Sequence, residues 1–102
     1  MKYSEIINEL KKYDLVKDYT DVDLDILNIS YDSRDIKEDT LFVCKGFNFK
    51  QVYLDDAVNN KAICYMSEKD YNKDIPRIIV TDIRKALAIV SLNFYKDNLF
   101  KI

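Results

Sequence analysis

Three short apolar runs constrain this chain most: Leu41-Phe42-Val43-Cys44, Ala62-Ile63-Cys64-Tyr65-Met66 and Arg77-Ile78-Ile79-Val80. Each reads as a buried strand; the first is stopped by Lys45-Gly46 and the third is led in by Pro76. Between the first two, residues 52–60 carry Tyr53, Leu54, Ala57 and Val58 at helical spacing, which predicts a short helix. After the third run, Thr81 and Asp82 open the clearest helical pattern, with Ile83, Ala86, Leu87, Val90 and Phe94 on one face. Near the N-terminus, Tyr3, Ile6, Ile7, Leu10 and Tyr13 follow helical spacing, and Ser4 is placed to cap the first turn. Strands that alternate with helices predict an α/β fold: a single small domain with a mixed or largely parallel sheet flanked by helices.

The remaining segments are less regular. Asp21-Val22-Asp23-Leu24-Asp25-Ile26 alternates polar and apolar, then the alternation restarts out of phase at Leu27, Ile29 and Tyr31, which predicts a bend, a bulge or a loop before a strand. The aspartates imitate the start of a calcium loop, but Ile26 stands where the turn glycine belongs and Asp32 stands where glutamate belongs. They are read instead as the wet face of an extended segment. Residues 35–40 are turn-like, and residues 67–75 form a charged loop.

With 102 residues the chain makes one compact domain, 1–102, that can bury roughly 60–70% of its unfolded surface without metals or disulfides. No apolar run approaches a membrane span and the first residues have no signal-peptide core, so a cytoplasmic location and no membrane partner are expected. A formal net charge of −2 argues against nucleic acid as a partner and requires a local basic site for any anionic ligand. Histidine is absent, which removes the commonest general base and metal ligand and excludes a Ser-His or Cys-His nucleophile within the chain. No catalytic residue and no metal site are therefore assigned. Cys44 and Cys64 lie in strand-like runs and are read as small buried hydrophobes.

Ligands of α/β sheets favour the loops beyond the carboxyl ends of strands, which here points to residues 32–34 and 45–49. In Tyr31-Asp32-Ser33-Arg34, Ser33 can donate and accept, Arg34 can pair with a carboxylate or phosphate, and ionised Asp32 can only accept. Two readings are open: a ligand site, or a turn capped by Asp32 and Ser33 with Arg34 tied to a neighbouring acid. Lys45-Gly46-Phe47-Asn48-Phe49-Lys50 holds the chain's one glycine, where the backbone can adopt unusual conformations or approach a ligand closely. Its lysines and the Asn48 amide suit an anion such as a diphosphate, and Phe47 or Phe49 suits a flat base. The alternative is a strand-to-helix turn with its phenylalanines tucked into the core. Arg84 and Lys85 oppose the dipole at the start of the last helix and are read as a solvated face.

Three segments in register carry a resemblance: Ile29-Ser30-Tyr31-Asp32-Ser33-Arg34, Leu41-Phe42-Val43-Cys44-Lys45-Gly46 and Asp82-Ile83-Arg84-Lys85-Ala86-Leu87-Ala88. Together they resemble the N-terminal domain of Mur ligases, and the last leans toward the synthetase that adds the third residue of the peptidoglycan stem peptide. The resemblance implies an ATP- and Mg-dependent, amide-forming, cytoplasmic parent ligase acting on UDP-N-acetylmuramoyl-L-Ala-D-Glu. It implies that this domain holds the UDP portion, with Ser33 and Tyr31 at the nucleotide and Gly46, Phe47 and Asn48 beside uridine and diphosphate. Many relatives carry a longer loop there with a Gly-His pair, which this sequence lacks. Relatives continue into a glycine-rich loop ending in Gly-Lys-Thr, and residues 1–102 contain none. A phosphate cradle needs those glycines and that lysine. The expectation is an excised or truncated domain, inactive and without cofactor by itself, whose partners are UDP-MurNAc-dipeptide and the missing ATPase domain. The alternative function is a small α/β protein-interaction module without a nucleotide site. Ser33 and the Gly46 loop on opposite faces would favour that alternative.

Overall fold

The computed structural model describes residues 1–46 and 48–99, with the side chains of 97–99 left aside. Its elements in chain order are α1 (Tyr3–Lys12), β1 (Val16–Tyr19), β2 (Asn28–Ser30), β3 (Thr40–Val43), α2 (Gln51–Asn59), β4 (Cys64–Ser67), β5 (Arg77–Val80) and α3 (Ile83–Leu99). The five strands form one sheet in the order β1-β5-β4-β3-β2. β2, β3, β4 and β5 run parallel, and β1 closes the far edge antiparallel to β5, so the sheet is mixed as the alternation of patterns predicts.

The two faces of the sheet are covered unequally. On one, Tyr3, Ile6, Ile7 and Leu10 of α1 and Ile83, Ala86 and Val90 of α3 pack with Leu41, Val43, Cys64, Met66, Ile78 and Val80. On the other, Phe42, Cys44 and Tyr65 meet Leu54 and Ala57 of α2 in a smaller cluster. Successive strand residues point to opposite faces, so the continuous apolar runs serve both layers at once. Each large aliphatic side chain buried this way contributes about 1.5–3 kcal/mol. Cys44 and Cys64 are free thiols within these two separate clusters, in keeping with small buried hydrophobes.

Some local readings are corrected. Ser4 does not cap α1, because Lys2 occupies the N-cap position; the Ser4 hydroxyl and amide instead donate to Asp23 at 3.1 and 3.2 Å. Tyr13 lies just past the helix and is 61% exposed. Residues 20–27 are not a strand. They cross the start of α1, with the Tyr3 amide donating to the Leu24 carbonyl and the Ile26 amide to the Met1 carbonyl, and Ile26 is fully buried. Leu27 and Tyr31 are exposed despite sharing a phase with Ile29, because β2 spans only Asn28–Ser30 and both lie beyond its ends. β1 was not among the expected strands. Two of its residues, Lys17 and Asp18, are charged and exposed, so the edge strand carries no apolar signature.

For function, the relevant consequence is directional. The parallel strands β2 and β3 deliver their carboxyl ends, Ser30 and Val43, to the same end of the sheet, where each opens into a loop before the next element.

Candidate functional site

An open depression lies beyond the carboxyl ends of β2 and β3. One wall is the turn after β2. Ser30 Oγ accepts the Asp32 amide at 3.1 Å and donates to the Asp32 carbonyl at 3.0 Å, tightening the chain as it leaves the sheet. Asp32 Oδ1 accepts the Arg34 amide at 2.9 Å, and the Arg34 guanidinium grips the same carboxylate through Nε at 3.0 Å and Nη2 at 3.1 Å. These hydrogen bonds to Arg34 hold the Asp32 carboxyl below the usual carboxylate range, and the same pair raises Arg34 above its ordinary value. Both groups are exposed, so the shift describes a closed local pair more than a source of stability.

Ser33 sits between them and is only 7% exposed. Its carbonyl accepts a hydrogen bond from the Asn60 side-chain amide at 2.9 Å, at the end of α2. Its hydroxyl makes no hydrogen bond to any described residue, although it lines the depression. The opposite wall is built by the loop after β3 and by α2. Gly46 adopts φ +115°, a region L-residues rarely enter, and a Cβ placed there would meet nothing within 4 Å. The glycine is therefore demanded by its backbone angle, while the space beside it stays open. Asn48 is exposed, and Lys45 sets its ammonium 4.6 Å above the Tyr31 ring, joining the two walls. Phe49 packs edge-on to Tyr53 with centroids 6.2 Å apart and tilts against Tyr71 at 5.9 Å, anchoring the loop to the smaller core cluster.

Ser33, Tyr31, Gly46 and Asn48 are thus brought to a single depression; Phe47 lies outside the described residues. The turn-cap reading holds for Asp32 and Arg34, and the tucked reading holds for Phe49. Arg84 and Lys85 are exposed on the first turn of α3 and do not line the depression. The sequence reading missed the contribution of α2: Tyr53 and Asp56 line the cleft, and Asn60 ties down Ser33. Tyr53 and Asp56 stand three apart on one helix face, a spacing that signals a shared surface. Asn60 had no such signal, because its partner is a backbone carbonyl 27 residues away.

No protein-family model matches the sequence. Individual proteins do. Over 69 residues, 68% of this chain, it is 51% identical to UDP-N-acetylmuramoyl-L-alanyl-D-glutamate--L-lysine ligase of Streptococcus agalactiae serotype V. It is 52% identical over 68 residues, 67% of the chain, to UDP-N-acetylmuramyl-tripeptide synthetase of Lactococcus lactis subsp. cremoris. The chain belongs to the Mur ligase family.

Solved structures agree on the fold: MurF from Acinetobacter baumannii superposes with a TM-score of 0.56 at 26% identity, over 67% of this chain and 15% of that one. Within the family this is the N-terminal type of domain. The match spans 14% of the length of the two ligases named above. Mur ligases use ATP and Mg, but the residues present do not fit that group. The one glycine of the chain cannot form a glycine-rich cradle, and among the described residues no three acidic or cysteine side chains converge as metal ligands.

Proposed function

We propose that this domain holds the uridine diphosphate end of UDP-N-acetylmuramoyl-L-alanyl-D-glutamate for an ATP- and Mg-dependent ligase that extends the stem peptide in the cytoplasm. The observation that carries the reading is the convergence of Ser33, Tyr31, Gly46 and Asn48 on one depression at the carboxyl ends of β2 and β3. An interaction module without a nucleotide site gains no support from that arrangement, since the two loops face each other across one cleft. In this reading Ser33 offers its free hydroxyl to the nucleotide, Tyr31 offers a ring face, and the Gly46, Phe47 and Asn48 loop approaches the base and diphosphate.

The chemistry that activates and couples the substrate carboxylate belongs to the rest of the ligase, including its ATPase domain, which is the domain's partner. The domain supplies binding energy remote from the reacting atoms, which holds the carboxylate end in place for coupling. The Streptococcus agalactiae relative is named for L-lysine addition, and we extend that substrate to the parent of this chain.

Titration of the isotope-labelled 102-residue chain with UDP tests the site. The Ser33 and Gly46 amide signals are expected to move at millimolar ligand, because affinity falls roughly 10–100-fold when remote contacts are removed. Amides that stay still at saturating UDP, with shifts elsewhere or none, refute the assignment.

A further inference from the structure

Four charged side chains border the depression: Asp32, Arg34, Lys45 and Asp56. They are not equivalent. Asp32 and Arg34 close on each other through two parallel contacts, Nε to Oδ1 at 3.0 Å and Nη2 to Oδ2 at 3.1 Å, so their charges cancel within one turn. Arg34 keeps N–H groups that the pair does not use, but an anion that meets them also meets the Asp32 carboxylate, so the pair offers it no net charge. Lys45 has no carboxylate partner among the described residues; its ammonium rests on the Tyr31 ring at 4.6 Å. A ring face attracts a cation without neutralising it and leaves ammonium protons free to donate. Asp56, on α2, is likewise in no ion pair among the described residues and projects an unbalanced negative charge.

We infer that Lys45, and not Arg34, is the residue that makes this cleft prefer a nucleoside diphosphate over an uncharged nucleoside, that Arg34 acts by silencing Asp32, and that Asp56 opposes the preference. The inference rests on the nucleotide reading of the same site. It assigns opposite signs to two side chains of one wall, and it gives the neutral pair on the other wall the work of keeping a carboxylate out of the ligand's field.

The test is the ratio of UDP affinity to uridine affinity, measured by titration calorimetry or amide shifts at low and high salt. In Lys45→Met the ratio falls about 5–10-fold, and its dependence on salt weakens because the unpaired charge is gone. In Asp56→Asn it rises about 2–5-fold, a change of opposite sign that a folding defect would not produce. Arg34→Met lowers the ratio, and the double variant Asp32→Asn/Arg34→Met returns it to within about twofold of the parent, as expected when two cancelling charges leave together. A Lys45→Met ratio equal to that of the parent overturns the inference, as does a double variant as poor as Arg34→Met. In both of those outcomes UDP still binds and the nucleotide reading stands. Failure of the unaltered chain to bind either compound overturns the nucleotide reading and this inference together.

Discussion

Ser33→Ala separates binding from folding. A buried serine that holds a structure together loses about 1 kcal/mol or more when its hydroxyl is removed, because its partner is left unpaired. Ser33 is 7% exposed, yet its hydroxyl pairs with no described residue; the tie that holds the turn runs through its carbonyl to Asn60, which alanine preserves. The stability change is therefore expected to stay within about 0.5 kcal/mol, the range of substitutions that break no specific feature. For a domain of this length that is a melting shift of only about 2–4 °C. Affinity behaves differently. If the hydroxyl hydrogen-bonds the nucleotide, its loss costs about 0.5–1.5 kcal/mol, or roughly 2–10-fold in dissociation constant. Thermal melts with and without UDP, together with a UDP titration, read both quantities from one preparation. A variant that binds UDP as tightly as the parent refutes the role given to Ser33. A melting temperature lower by 10 °C or so would show that the hydroxyl has a structural partner and refute the separation itself.

Two further outcomes follow from the geometry. Asn60→Ala removes the one hydrogen bond from α2 to the Ser33 carbonyl, so it should cost about 1 kcal/mol, lower the melting temperature by about 4–8 °C and weaken UDP binding as well; a variant that melts and binds like the parent would show that the turn holds itself. Alkaline solution should also destabilise the fold, because burial pushes the Cys44 and Cys64 thiols up from 9.0 to about 12 and the Tyr3 phenol, also beside Cys64, from 10.0 to about 12. These are acids whose folded values lie above their unfolded ones, so their contribution is complete below pH 9 and is lost as pH climbs toward 12. Urea midpoints that fall between pH 9 and 11, less steeply in Cys44→Ala, would agree; a flat profile would not.

The main layers of the fold were legible because they bury continuous apolar runs: β5 begins and ends as the pattern predicts, and α2 and β4 are displaced by a residue or two. β1 was hidden because an edge strand with Lys17 and Asp18 facing water need not look like a strand. The Ser4 reading failed for a tertiary reason, since Asp23 from a distant segment competes for the hydroxyl that a local cap would use. At the site, polarity at strand ends identified both loops. The pairing of Arg34 with a neighbouring acid was legible as one of two open readings; that the acid is Asp32 depends on the Asx turn that aligns the two. Asn60 was invisible for a simpler reason: a carbonyl partner leaves no mark on composition.

The unequal covering of the sheet has a consequence for how the molecule tolerates change. The α1 and α3 side holds the larger apolar cluster, while the cleft is built on the α2 side, whose cluster is smaller and is finished by half-buried aromatics such as Phe49 and Tyr71. Opening of α2 and its flanking loops exposes less apolar surface than opening of the other layer, so those amides should exchange with solvent first, as a separate cooperative unit. Substitutions that retune the ligand face then draw on a layer that contributes less to global stability. The sheet works as a partition: one side keeps the domain folded, and the other is free to diversify.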